Sequence, residues 1–405
     1  MINIIPDIQT KRIAIKLKPV AEKMVKRGHP WIFEDSIAKQ SAEGKAGDLA
    51  IIYDVRKNNF LACGLYDPYS PIRIKLIQFK KTAQINDEWF KQRIKEAYSI
   101  RIPLFKTDTN SYRLLFGEND NLPGCIADIY DTILVVKLYS HIWFPYLNSI
   151  ISNLIEVTGC ETVVLRLSRL LQSKNQSYGL KDGSVIYGEL ENEVVVFREH
   201  GILFSANVIK GHKTGYFLDH RHNRKRVGEL SKDKHVLDVF SYAGGFSVHA
   251  LAGGATRVVS LDISKQALEM AKENTLLNNP KGKHEILAAD AFEGLQNLIN
   301  RKEKFDIVII DPPSFAKREN EIMGAKNSYA RLAKLGSKLV SKNGTLVLAS
   351  CSSRVTADDF FEISETSMLE LGMAFDVLEK TFHDIDHPIS FLEGAYLKCG
   401  YYKMK

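Results

Sequence analysis

The chain reads as a mixed α/β protein whose C-terminal half builds a mostly parallel sheet, preceded by a β-rich domain and a small central α/β unit. Three observations predict this. From residue 191 to the end, short apolar runs alternate with helix-period segments, the order found where helices cover both faces of a parallel sheet. The first strand-to-helix turn of that half carries Gly244-Gly245. Between Lys11 and Phe79 the apolar runs are short and alternating, broken by Gly44, Gly47 and Asp67-Pro68, as in a small barrel-like β domain.

Within 1–80, strands are expected at 12–17, 48–54, 60–65 and 72–77, with one short helix near 20–26. Arg27-Gly28-His29-Pro30-Trp31-Ile32-Phe33 then sets aromatic and basic groups side by side, a combination that holds RNA by stacking and charge. Across 87–104 the spacing of Trp89, Ile94, Ala97 and Ile100 turns helical. Strands at 111–116, 125–130 and 132–138, a helix over 145–157 and a strand at 162–167 complete the central unit, placed at 81–190. The last domain, 191–405, opens with a hairpin of 194–197 and 202–206. Its further strands are expected at 235–240, 257–262, 285–289, 305–310, 344–350 and 395–402.

Composition limits the function classes. The 405 residues carry 45% hydrophobic side chains and a net charge of +7, ample for two or three buried cores. Cys63, Cys125, Cys160, Cys351 and Cys399 share no paired spacing, so neither a disulfide framework nor a metal clamp is indicated, and no metal site is expected. That usage fits a reducing cytoplasm. The N-terminal stretch Met1 to Asp7 lacks a basic segment followed by an apolar core, and no apolar run approaches the roughly eighteen residues that cross a bilayer. Neither export nor membrane insertion is expected. Basic residues crowd two places: Lys11, Arg12, Lys16, Lys18, Lys23, Lys26 and Arg27, then Lys210 to Arg226. Such clusters suit a polyanion, although an ordinary solvated surface has the same composition.

The chemistry is expected at the strand tips of the last domain, because open α/β sheets bind ligands outside the carboxyl ends of their strands. Asp238 lies in the first strand, which runs into Ser241-Tyr242-Ala243-Gly244-Gly245 and a helix whose first amides are free to meet a ligand. Asp262 ends the second strand, where a carboxylate can accept both ribose hydroxyls. Asp290-Ala291 ends the third, offering a carboxylate and an amide to an adenine edge. The fourth delivers Asp311-Pro312-Pro313-Ser314-Phe315, and the fifth Ser350-Cys351-Ser352. A thiol and a carboxylate on neighbouring tips suit covalent attack on a nucleobase. Taken singly, Cys351 could be a small buried hydrophobe and Asp-Pro-Pro a strand ending in a turn. A dinucleotide dehydrogenase would use a similar turn, but Tyr242-Ala243-Gly244-Gly245-Phe246 does not match Gly-x-Gly-x-x-Gly.

These motifs together resemble a Rossmann-like class I S-adenosylmethionine-dependent methyltransferase, and the whole chain resembles the RlmI family of bacterial 23S ribosomal RNA cytosine-C5 methyltransferases. Residues 27–33 look like that family's PUA domain. Gly211 to Arg221 is similar to its segment before the catalytic core, and Asp386-His387-Pro388, Glu393-Gly394 and Tyr396-Leu397-Lys398 match its C-terminus. The resemblance implies S-adenosyl-L-methionine as cofactor, held by Asp219, Arg221, Asp238, Ser241, Tyr242, Gly244, Asp262, Asp290, Ala291 and Pro312. It implies Cys351 as nucleophile with Asp311 assisting at ring nitrogen 3, ribosomal RNA as partner, naked or in an assembling large subunit, and a homodimer. Asp219 and Arg221 could equally be the charged start of an amphipathic helix. Some RNA cytosine methyltransferases carry a second cysteine where this chain has Ser314, which leaves the acceptor of the carbon-5 proton open between His387 and a bound water. Two other readings stand beside this one. Methylation of a purine or exocyclic nitrogen would need no thiol, and a non-catalytic RNA-binding assembly factor would keep only the fold.

Overall fold

In a computed structural model of the chain, strand β1 (Arg12–Leu17) buries Ile13, Ile15 and Leu17 and turns the residues between them outward, the period of two that its sequence carries. The structure describes residues 4–173 and 178–405; the first three residues of the N-terminal stretch read above lie outside them. Chain contacts divide it into two compact units. The first comprises Met1–Arg198, Ser205–Leu218 and Ile385–Gly394, and the second Glu199–Phe204, Asp219–Asp384 and Ala395–Lys405.

In the first unit, helix α1 (Pro19–Lys26) follows β1, and β2 (Trp31–Phe33), β3 (Ile37–Gln40), β4 (Leu49–Tyr53), β5 (Phe60–Tyr66) and β6 (Ile72–Phe79) complete a six-stranded sheet. Its order is β2-β6-β5-β4-β1-β3, with β1 parallel to β4. Helix α2 (Asp87–Arg101) is capped by Asn86, whose side chain accepts from the Trp89 amide. The expected helix to residue 104 ends at Arg101, because Pro103 has no N–H to donate to the Ser99 carbonyl and its ring crowds that carbonyl, and Ile102–Thr107 tightens into a 3-10 turn. Then come β7 (Ser111–Phe116), β8 (Cys125–Tyr130), β9 (Ile133–Leu138), α3 (Leu147–Thr158), β10 (Thr162–Leu167), α4 (Arg169–Gln172) and β11 (Ser184–Tyr187). These strands form a second sheet in the order β11-β10-β9-β8-β7. Trp89, Phe90 and Ile94 of α2 and Ile150, Ile151 and Leu154 of α3 share one core with its strands. Where the chain passes between units, β12 (Val194–Glu199) and β13 (Ile202–Asn207) form a hairpin. His200 and Gly201 turn it at φ +53° and +77°, the left-handed pair a two-residue turn requires.

After the short Glu199–Phe204 piece, the second unit runs from α5 (Arg221–Leu230) and alternates strand and helix up to β19: β14 (His235–Val239), α6 (Gly245–Ala252), β15 (Arg257–Asp262), α7 (Lys265–Leu276), β16 (Lys283–Ala288), α8 (Ala291–Asn300), β17 (Phe305–Ile310), α9 (Ile322–Leu339), β18 (Val340–Ser350), α10 (Ala357–Leu369), β19 (Phe375–Thr381), then β20 (Lys398–Met404). The sheet order is β16-β15-β14-β17-β18-β20-β19. The first five strands are parallel; β20 runs antiparallel between β18 and β19. Side chains leave these strands alternately for two cores. Leu237, Val239, Val308, Ile310, Leu346 and Leu348 meet α8, α9 and α10, while Val236, Val258, Ile307, Ile309, Val347 and Ala349 meet α5 and α6. Strand order reverses between β14 and β17, so a crevice opens at their carboxyl ends.

Candidate active site

Three backbone conformations shape the turn after β14. Phe240, Tyr242 and Gly244 have φ of +64°, +46° and +77°. The first two carry side chains in a region L-residues avoid, a cost of about 1–3 kcal/mol each that persists only where surroundings impose it, commonly at ligand sites. At Gly244 the Cβ of any other residue would stand 2.8 Å from the Ala271 Cβ on α7.

Asp238 sits under this turn, 1% exposed. Its Oδ2 accepts from the Ser247 amide (3.0 Å) and hydroxyl (2.7 Å), and the bonds continue through Ser260 (2.6 Å) to His284 Nε2 (2.7 Å) and on to Thr275 (3.0 Å). Its Oδ1 and the buried Ser241 hydroxyl have no hydrogen-bond partner among the described residues. Burial pushes the Asp238 carboxyl up to about 7 against the pull of the Ser247 bonds, with the charges of Asp311 and Asp262 adding to the rise. Orphaned polar atoms at this depth are uncommon in folded proteins. They fit a site that receives a polar ligand, as the implied adenosyl cofactor requires.

Asp262, at the tip of β15, accepts from the Tyr242 amide (2.9 Å) and the Ser264 amide (2.8 Å), one on each oxygen. Each oxygen keeps a second lone pair. Asp290 is exposed, and its Oδ1 accepts from the Phe292 and Glu293 amides as the cap of α8, with Ala291 buried behind it. Pro312 is likewise buried. Asp219 is buried and accepts from the Tyr396 hydroxyl at 2.8 Å. Arg221, expected to meet the cofactor's carboxylate, is fully buried, with Nη1 3.1 Å from Asp384 and Nε 4.0 Å from Glu199. Glu199 also takes Arg224 (2.7 and 2.6 Å) and His249 (2.9 Å), which with burial makes Arg221 part of an ionic network joining β12, α5 and α6.

The parallel register of β17 on β18, Ile310 against Leu348, brings Asp311 and Cys351 to neighbouring tips. The Cys351 thiol donates to the Pro312 carbonyl at 3.7 Å. Cys351 is partly exposed, whereas Cys63, Cys125, Cys160 and Cys399 are buried. Ser314 donates to the Ala316 carbonyl (3.2 Å) and braces the Asp-Pro-Pro turn. His387 lies in the first unit, fully buried, with Nδ1 2.8 Å from Asp386.

Two side chains at this site were not assigned a role from the sequence. His220, the cap position of α5, brings Nε2 to 3.3 Å from Asp311 while its Nδ1 meets the Asn223 amide at 3.1 Å. Burial opposes its charge, but the negative charges of Asp311, an ion-pair distance away without a well-aligned hydrogen bond, and of Asp219 prevail and raise its pKa. Lys398 opens β20 opposite Ser350 and donates to the carbonyls of Ser352, Val355 and Tyr396. The available signal was a lysine inside the apolar run Leu397 to Tyr402 and a histidine between two charged residues that already drew attention.

In the first unit, Trp31 is only partly exposed. Its indole donates to Glu118 (3.0 Å) and its ring packs edge-on against Phe391 at 5.1 Å, which leaves Phe33, 40% exposed, as the open aromatic of the expected basic and aromatic patch. Among the described residues no cluster of His, Cys, Asp and Glu could hold a metal ion, and no helix is long and apolar enough to cross a membrane.

Residues 117–389 match the family described as S-adenosylmethionine-dependent methyltransferase, and residues 15–79 match the PUA-like domain. A ribosomal RNA large subunit methyltransferase of Deinococcus radiodurans is 42% identical, over 98% of this chain and 99% of that one. Ribosomal RNA large subunit methyltransferase I of Tolumonas auensis is 36% identical over 95% and 97%. Among solved structures, a putative methyltransferase, SMU.776, complexed with SAH superposes with a TM-score of 0.82 at 22% identity, over 98% of this chain and 100% of that one.

Proposed function

Because the chain belongs to the family of S-adenosylmethionine-dependent methyltransferases, we propose that it methylates carbon 5 of a cytosine in large-subunit ribosomal RNA, in the cytoplasm, through a covalent adduct on Cys351. The RNA substrate follows from what the relatives are named to act on, over nearly the full length of both chains. The choice of carbon over nitrogen rests on one observation: the only partly exposed cysteine of the chain stands at the β18 tip, 3.7 Å from the Pro312 carbonyl of the Asp311 turn. Nitrogen methylation needs no thiol there.

The cofactor, when bound, supplies an electrophilic sulfonium methyl. For its adenosyl part the residues with unused capacity are Asp262 for the ribose hydroxyls and Ala291 beside the Asp290 cap for the base. Asp238, Ser241, Tyr242 and Gly244 shape the turn above, Pro312 borders it, and Asp219 with Arg221 fixes the α5 end. The cysteine thiolate adds to carbon 6 of the cytosine. A proton from the His220–Asp311 pair moves to ring nitrogen 3 and drains the charge, so that carbon 5 becomes the nucleophile. After methylation, carbon 5 gives its proton to a water molecule in the crevice, the bond between sulfur and carbon 6 breaks, nitrogen 3 returns its proton to the His220–Asp311 pair and the thiolate is restored. Asp311 is held for this by its rigid diproline turn and by His220, which amounts to prepaid alignment.

The Cys351→Ala variant tests the reading. Methyl transfer to ribosomal RNA from a strain lacking the gene is expected to fall by at least about a thousandfold, as loss of a covalent route demands. SAH affinity by calorimetry should stay within about threefold. Turnover surviving in the variant removes Cys351 from the nucleophile role, and a strain without the gene that keeps every 5-methylcytosine of its large-subunit RNA removes the substrate.

A further inference from the structure

We propose that Lys398 is a positioning residue for the nucleophile: its ammonium clamps the loop that presents Cys351 and supplies the fixed positive charge beside which the thiolate forms. This rests on the nucleophile reading of Cys351.

Lys398 is 2% exposed, and burying a cation is costly unless it is compensated. Antiparallel pairing sets it directly opposite Ser350, the residue before the cysteine. Its Nζ donates to the carbonyls of Ser352, Val355 (2.5 Å) and Tyr396 (3.2 Å). Three acceptors match the three donors of an ammonium, whereas a neutral amine offers two. The loop is therefore held by the charged form. Two of the carbonyls belong to the segment just after Cys351, so the clamp fixes the thiol's backbone from the side opposite Pro312.

Carbonyl dipoles compensate the charge only partly. Burial pulls the Lys398 pKa down to about 8, and the opposing influence comes from Cys351. Such coupling is mutual: whatever a thiolate does to hold the ammonium charged, the ammonium does to hold the thiol ionised. Tyr329 on α9, which accepts from Ser350 at 2.9 Å, has its phenol pushed by burial up to about 12 and stays neutral. Asp311 opposes a second anion, and His220 is engaged with Asp311.

The pH profile of Cys351 alkylation by iodoacetamide, followed by mass spectrometry on the full chain, reads the thiolate directly, since the other four cysteines are buried. In Lys398→Met the midpoint of the profile is expected to move up by about one unit, so that alkylation and methyl transfer at neutral pH each fall about tenfold. SAH affinity should change by less than about threefold. Lys398→Arg keeps the charge and should return the midpoint to that of the wild type. Should Lys398→Met fail to fold, Lys398→Gln, which retains two donors without the charge, replaces it against Lys398→Arg. A midpoint that is the same in the neutral variant and the wild type, or the same in Gln and Arg variants, overturns the proposal. Turnover retained in Cys351→Ala would instead overturn the nucleophile reading, and the alkylation profile stands apart from it.

Discussion

At the scale of single residues, Asp238 has a consequence that can be measured without RNA. Its carboxyl titrates near 7 in the folded chain, raised by burial, against about 3.9 in an unfolded one. A folded pKa above the unfolded value means that the native state holds the proton more tightly. The stability this gives is full below about pH 4 and is lost as pH rises through about 7, where up to about 4 kcal/mol has gone. Asp238→Asn resembles the protonated acid at every pH, and its amide oxygen can still accept from Ser247. The unliganded variant should therefore melt several degrees above the wild type at pH 8, at roughly 2–4 °C per kcal/mol, and together with it near pH 4. Parallel melting curves for the two proteins across that range would show that Asp238 does not titrate where its burial puts it. The same residue shows how far residue-level reading goes. Its place in the first strand and its kinship with Asp262 were legible, but its orphaned oxygen and its chain of hydroxyls to His284 depend on side chains from β15 and β16 that only folding brings together.

The strand-to-helix turn is the element on which the proposed cofactor crevice depends, and the sequence announced the turn through Gly244-Gly245. Gly244→Ala faces two penalties at once: a left-handed φ of +77° and a Cβ 2.8 Å from the Ala271 Cβ on α7. Strain of this kind costs about 1–3 kcal/mol, and a contact that close moves α6 or α7. The expected outcome is a clear drop in melting temperature with SAH affinity reduced at least about tenfold, measured by calorimetry on the folded fraction. Unchanged affinity would mean that the turn does not line the cofactor site. Other elements were legible to different degrees for physical reasons. The central parallel strands are apolar on both faces and stand out as runs, whereas β3, β11 and β19 are short or charged sheet edges without that pattern, and β19, with Asp376, Glu379 and Lys380, was not expected at all. Helix ends shifted where 3-10 turns containing Pro103 and Pro145 take the place of α-helix. Arg221 was assigned to the cofactor from resemblance, and nothing in its neighbourhood in sequence foretold Glu199 and Asp384 as its neighbours, because those residues reach it from β12 and from beyond β19.

For the molecule as a whole, the net charge of +7 sets how it meets a polyanion. Lys11, Arg12, Lys16, Lys18, Lys23, Lys26 and Arg27 all belong to the first unit, around β1 and α1, away in sequence from every strand tip of the methyltransferase sheet. Lys26 already pairs with Glu22 on the same helix face, so it has less to give to a phosphate than Lys18 or Lys23, for which no salt bridge is present among the described residues. Each phosphate neutralised releases condensed counterions, and the logarithm of affinity then falls linearly with the logarithm of salt, by about 0.7 per contact on single-stranded RNA. Replacing Lys16, Lys18 and Lys23 together by Gln should flatten that slope by about 2 if all three touch phosphate, weaken binding of large-subunit RNA fragments regardless of their sequence, and leave SAH affinity and the alkylation of Cys351 as they were. Filter-binding isotherms at several salt concentrations measure the slope. An unaltered slope would assign these lysines to solvent and shift the burden of holding RNA onto the second basic cluster, Lys210 to Arg226. There Arg221 and Arg224 are buried in the ionic network with Glu199, and Lys210, Lys225 and Arg226 pair with Glu193, Glu229 and Glu379, so its cations have less to give to phosphate. The charge that the sequence divides evenly between two clusters is thus divided unevenly by folding, and the N-terminal cluster should carry the larger share of the salt dependence.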